Sequence, residues 1–134
     1  MEMVFERCAG IDVHKRTVVV CRLPRDEAGA RVSQIQTFGA TTSELVRLAD
    51  WLTEGGCTHV GVESTGEFWN PVFNLLEGSF EVWLLNAAHI KAVPGRKTDV
   101  KDAQWIAELL AHGLVRPSFL PASSRHAPSE SYAT

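Results

Sequence analysis

A chain of 134 residues with 45% apolar and 22% charged side chains has the make-up of one ordinary globular domain, with room for a hydrophobic core but not for two. Its net charge of −3 argues mildly against a self-sufficient nucleic-acid module, which is usually basic. No apolar run approaches the roughly 20 residues of a membrane span, and Met1 to Arg7 lacks a basic-then-apolar signal, so a cytoplasmic protein with no membrane partner is expected.

The first structured segment divides into two β-rich runs, Cys8 to Val13 and Thr17 to Cys21, joined by the polar turn His14-Lys15-Arg16, hence a hairpin. Asp12 lies inside the first run. Acids are depleted from strands, and one held between Ile11 and Val13 is partly desolvated unless something positive sits against it. A cation satisfies that need; the plainer alternative is that Asp12 caps the turn. After the turn-rich Pro24 to Gly29, alternation from Arg31 to Phe38 predicts a third strand pairing with the second.

Thr41 and Glu44 stand at capping-box spacing before Leu45, Leu48, Ala49 and Leu52 on one face, and Gly55-Gly56 marks the stop, which defines a helix. Cys57 to Val62 then reads as a short strand, parallel to the first because a helix intervenes. Glu63 falls at its carboxyl end, the edge of an open α/β sheet where ligands bind. Ser64 and Glu67 repeat the capping-box spacing, but Pro71 places the next helix later. Phe68, Trp69, Val72, Phe73, Leu75 and Leu76 read as mostly core. A fifth strand is expected over Glu81 to Leu85, then a helical turn from Ala87 to Ala92 broken by Pro94-Gly95.

The last helix, from about Asp99 to His112, buries Ala103, Ile106, Ala107 and Leu110 and ends at Gly113. Asp99 and Asp102 sit three apart at its start, so both carboxylates lean to one side of the first turn. That arrangement suits a cap and the helix dipole, and it equally suits a divalent cation. Lys91, Arg96, Lys97 and Lys101 crowd the stretch beside the acidic pair, as phosphate contacts or as a solvated basic loop. Beyond Pro121 the sequence turns polar and Ser-rich without periodicity, and residues 122–134 are expected to form a frayed tail.

The odd set of Cys8, Cys21 and Cys57 has no C-x-x-C spacing, so the cysteines read as small buried apolar residues rather than a disulfide framework or zinc site. The five histidines show no i, i+4 pairing and are not read as structural metal ligands. Three antiparallel strands, a helix, a strand, a helix, a strand and closing helices is the layout of an α/β, ribonuclease H-like domain with a five-stranded mixed sheet flanked by helices. Acids on its first strand, at the end of its fourth and on its last helix can hold two dications roughly 4 Å apart, a clamp for both oxygens of a phosphodiester displacement.

Four segments, Gly10-Ile-Asp-Val-His-Lys15, Val62-Glu-Ser-Thr-Gly66, Gly95-Arg-Lys-Thr-Asp-Val-Lys-Asp-Ala103 and His112-Gly-Leu114 with Pro117-Ser-Phe119, resemble the N-terminal domain of the DEDD transposases of bacterial insertion sequences. This is the one-ten family, related to the Piv-type DNA invertases and similar in catalytic fold to the RuvC Holliday-junction resolvase. The resemblance covers about residues 8 to 121 and gives a domain over 1–121. It implies that Asp12, Glu63, Asp99 and Asp102 are the catalytic metal ligands, with Asp12 shared between two Mg²⁺ ions for which Mn²⁺ can substitute, and that Lys91, Arg96, Lys97 and Lys101 contact phosphates. It further implies cutting and rejoining of DNA by a homo-oligomer guided by an element-encoded RNA, with a serine nucleophile on a C-terminal domain.

No such serine motif surrounds Ser123, Ser124, Ser129 or Ser131, so the chain is expected to be a truncated copy that cannot complete recombination alone. The alternative is an inactive remnant that only binds DNA or RNA or associates with full-length copies. An actin-like ATPase domain also opens on a hairpin with Asp after Gly, but its turn needs glycines where this chain has His14-Lys15-Arg16.

Overall fold

The computed structural model describes residues 5, 7–24, 27–29, 32–64, 66, 68–95 and 102–115. In chain order the elements are β1 (Cys8–Val13), β2 (Thr17–Arg22), β3 (Gln34–Gly39), α1 (Thr42–Glu54), β4 (His59–Ser64), α2 (Trp69–Leu76), β5 (Glu81–Leu84), α3 (Ala87–Ala92) and α4 (Asp102–Ala111). The five strands form one sheet in the order β3-β2-β1-β4-β5. β1, β2 and β3 pair antiparallel, whereas β4 pairs parallel with β1 and β5 parallel with β4. The mixed sheet with three antiparallel strands first is therefore the one the sequence pattern predicts.

Strand alternation sends the two sets of side chains to opposite faces. Ala9, Ile11, Val13, Val18, Val20, Val60, Val62 and Val82 join Leu45, Leu48 and Leu52 of α1 and Val72, Phe73 and Leu76 of α2 in one buried cluster. On the other face Cys8, Cys21 and Leu85 pack with Ala103, Ile106, Ala107, Leu109 and Leu110 of α4. Cys8, Cys21 and Cys57 are buried and form no disulfide among the described residues, as expected of small apolar positions. Among the described residues no helix is long and apolar enough to cross a membrane.

Several boundaries differ from the sequence expectation for local reasons. β3 starts at Gln34 rather than Arg31, and Val32 and Ser33 lie outside the ladder. β4 begins two residues beyond Cys57, because the Cys57 N–H closes the end of α1 on Leu52 O at 3.1 Å and the Thr58 N–H bonds Arg7 O at 2.9 Å. At its other end the pairing with β1 continues through Val13 opposite Ser64, which puts Glu63 inside the strand instead of just past it. Ser64 belongs to β4, and α2 starts at Trp69, with Pro71 in the first turn, where the missing N–H has no intrahelical acceptor to lose. Phe68, expected in the core, precedes that helix and is 43% exposed.

The cap of α1 is half a capping box. Thr41 Oγ1 accepts from the Glu44 N–H at 3.4 Å, but the Glu44 carboxylate accepts from the Gly39 N–H at 3.2 Å rather than from Thr41. The described part of α4 starts at Asp102, and Gly113 at φ +68° follows its end. Asp99, Arg96, Lys97 and Lys101 lie outside the described residues, as does the 122–134 segment.

Candidate active site

The site begins with a register. Asp12 is the fifth residue of β1, Glu63 the fifth of β4, and the two are direct partners across the parallel pair. Both therefore leave the same face at the carboxyl end of adjacent strands, on the side covered by α4. Asp12 is 7% exposed and is the buried charged residue among those described.

Helix α4 brings the third acid. Its backbone lies almost against β1: a Cβ on Gly10 would collide with Ala103 O and come within 2.5 Å of Ala107 N. The Cys8 thiol reaches Ala107 O at 3.5 Å, and the Phe5 N–H bonds Ala111 O at 3.0 Å. Moving back along the chain from Gly10 to Phe5 thus moves forward along α4, so the helix runs antiparallel to β1. Its amino-terminal end, carrying Asp102, arrives where β1 carries Asp12. That end also bears the positive pole of the helix dipole, a favourable place for carboxylates.

Asp12, His14, Glu63, Lys91 and Asp102 line one pocket of about 90 Å³, with Ala87, Ile90 and Ile106 as its apolar part. Lys91 comes from α3, which α4 secures through the Trp105 indole N–H donated to Ile90 O at 3.3 Å. Burial, a hydrogen bond to Asp12 and the negative charges of Asp12 and Asp102 push Glu63 up to about 7, against the opposing pull of Lys91. Two like charges 4 Å apart repel by about 4 kcal/mol at an effective dielectric of 20, so a proton retained by Glu63 is the expected response to crowding.

A hard, doubly charged cation relieves the same repulsion without a proton, and carboxylate oxygens are the donors that suit Mg²⁺ or Mn²⁺. Among the described residues no three His, Cys, Asp or Glu side chains are drawn together tightly enough to enclose an ion. An open carboxylate platform is nevertheless the form in which Mg²⁺ is usually held, with water and substrate oxygens completing the shell.

Of the residues singled out from sequence, the fold brings Asp12, Glu63, Asp102 and Lys91 together. His14 was missed. Its Nε2 donates to Asp12 Oδ2 at 3.0 Å, and the signal was available, because His14 directly follows β1 and residues two apart along extended backbone share a face. The search for helical i, i+4 pairs passes over it. A wider cleft between β3 and α1 holds no comparable chemistry: Arg22 covers the Trp51 ring at 4.1 Å, and the Arg47 guanidinium, 5.9 Å from the Phe38 ring centroid, pairs with Glu44.

Residues 9–127 match the family model of the IS110-type DEDD transposases, described as a transposase. The chain belongs to that family. Among solved structures it is similar to RuvC of Thermus thermophilus, with a TM-score of 0.54, 15% identity and coverage of 83% of this chain and 99% of that one. A second structure, T. thermophilus RuvC in complex with Holliday junction substrate, gives a TM-score of 0.54 at 13% identity over the same shares. At such identity the likeness shows the fold, which is RuvC-like. A comparison with curated proteins returns no match. The chain is thus a transposase-family domain with a RuvC-like fold.

Proposed function

We propose that this DEDD transposase domain cleaves DNA phosphodiesters with Mg²⁺ or Mn²⁺, using Asp12, Glu63 and Asp102 as ligands, and that the cleavage serves strand transfer of an insertion sequence. The observation that carries the reading is the strand register, Asp12 opposite Glu63, with the first residue of α4 brought over both. Asp99, by its spacing from Asp102, is the fourth ligand on this reading, and Asp12 is the one shared if two ions bind. The metal would polarise the scissile phosphate and activate the attacking oxygen. The chain's own part is to crowd the carboxylates into one pocket, where a cation can take the place of the proton on Glu63, and to place Lys91 beside it, where an ammonium group can contact a phosphate oxygen. Arg96, Lys97 and Lys101 would extend that contact along the backbone.

Branched DNA is the first substrate to try, because the structurally similar RuvC is described with a Holliday junction. An element-encoded guide RNA and a homo-oligomer are further parts of the proposal that rest on the family. The test is nicking of supercoiled plasmid and of a four-way junction by the full chain with Mg²⁺ or Mn²⁺. Wild type nicks and Glu63→Gln does not; a folded wild type that nicks nothing overturns the catalytic reading in favour of an inactive remnant that only binds nucleic acid or associates with other copies.

A further inference from the structure

A carboxylate that ligates a metal needs a fixed orientation as well as a position. The terminal torsion of Asp is broad, so a carboxylate without a second partner samples many orientations and pays ordering entropy when it binds. Asp12 has such a partner. His14 Nε2 donates to Asp12 Oδ2 at 3.0 Å, and Glu63 hydrogen-bonds the same carboxylate, a contact that a bound cation would replace while the His14 contact remains.

The rest of His14 is arranged as if for this contact. Its backbone is pinned by the turn hydrogen bond from His14 N to Thr17 O at 2.9 Å. Its side chain is 46% exposed against 10% for Asp12, so it adds little to the core, and it lines the same pocket as Glu63 and Asp102. Polar partners that orient metal-bound carboxylates in this way typically carry a tenfold to hundredfold share of the affinity.

We propose that His14 is a positioning residue, whose imidazole N–H fixes the Asp12 carboxylate in the orientation that accepts a divalent cation; this rests on the reading of Asp12 as a ligand. The test is titration of Mn²⁺ followed by the loss of its free-ion electron paramagnetic resonance signal, on full-length wild type, Asp12→Asn, His14→Ala and His14→Gln, with thermal unfolding of each. His14→Ala should weaken Mn²⁺ by about 10- to 100-fold at an unchanged melting temperature. His14→Gln should recover most of the loss, because the amide Nε2–H can donate where the imidazole does.

Equal affinity in wild type and His14→Ala overturns the proposal, as does a Gln variant no better than Ala. Imidazole nitrogen coupling in the bound Mn²⁺ spectrum also overturns it, making His14 a ligand instead. Those results leave the acidic site standing, whereas a wild type that binds no Mn²⁺, or an Asp12→Asn variant that binds as well as wild type, removes the site and the role of His14 together.

Discussion

The two faces of the sheet are built differently. Toward α1 and α2 the contact is between bulky side chains, with Leu48, Leu52 and Leu76 fully buried against Ile11, Val18, Val20 and Val62. Toward α4 the contact approaches bare backbone: Gly10 faces Ala103 and Ala107, and a Cβ on Gly61 would lie 2.9 Å from Leu85 Cδ1. The first face supplies apolar burial, which tolerates small shifts. The second adds close backbone approach to its own buried side chains, Ile106, Leu109 and Leu110, and closeness is what carries the first residue of α4 to the carboxyl ends of β1 and β4. Stability and site geometry are therefore separable by mutation.

The largest effect on folding belongs to the thick face. Leu48→Ala should cost about 2–5 kcal/mol, from lost burial and the cavity left behind, while the folded protein binds Mn²⁺ as before. Denaturant melts and a Mn²⁺ titration below the transition measure the two quantities separately. Gly10→Ala should cost less, about 1–3 kcal/mol, because α4 has to move away from β1. Its Mn²⁺ affinity should nevertheless fall, since Asp102 moves with the helix. Unchanged affinity in Gly10→Ala would erase the proposed distinction between the faces.

A pH dependence sharpens the comparison further. Glu63 holds its proton up to about 7 in the fold against an ordinary 4.5. The stabilisation that this shift contributes is complete below 4.5, declines as pH rises and is gone above about 7, so the metal-free protein should melt lower at pH 8 than at pH 5. Glu63→Gln should flatten that part of the profile. Mn²⁺ at a hundred times its dissociation constant should restore about 2.7 kcal/mol at pH 8 in wild type and not in the variant. The smallest effect, about 1 kcal/mol with metal binding untouched, is expected of Thr41→Ala, which removes only the cap of α1.

The thick face was legible in the sequence because periodicity reports burial: the Leu45, Leu48, Leu52 stripe and the alternating valines of β2 and β4 lie where the pattern puts them. On the close face the buried stripe of α4, Ala103, Ile106, Ala107 and Leu110, was legible in the same way, but the closeness of the contact was not. Gly10 inside a strand reads as a weak strand residue, and only the position of α4 reveals that a side chain there would collide with Ala103. The candidate acids were legible one by one, as charges in positions that disfavour charge. Their convergence followed from the expected parallel pairing of the first and fourth strands, but the register that sets Asp12 directly opposite Glu63 did not, since it depends on the whole β1–β4 ladder and Glu63 was expected just past the strand. His14 escaped because it sits in the polar turn just past β1, and its partner Asp12 lies two residues back rather than at helical spacing.

The central claim is that acids distant in sequence share one divalent cation. Calorimetric titration of Mn²⁺ into wild type and Asp12→Asn at pH 7.5 tests it most directly. Saturable binding to wild type that vanishes in Asp12→Asn is the predicted result; superimposable isotherms from the two proteins would contradict it.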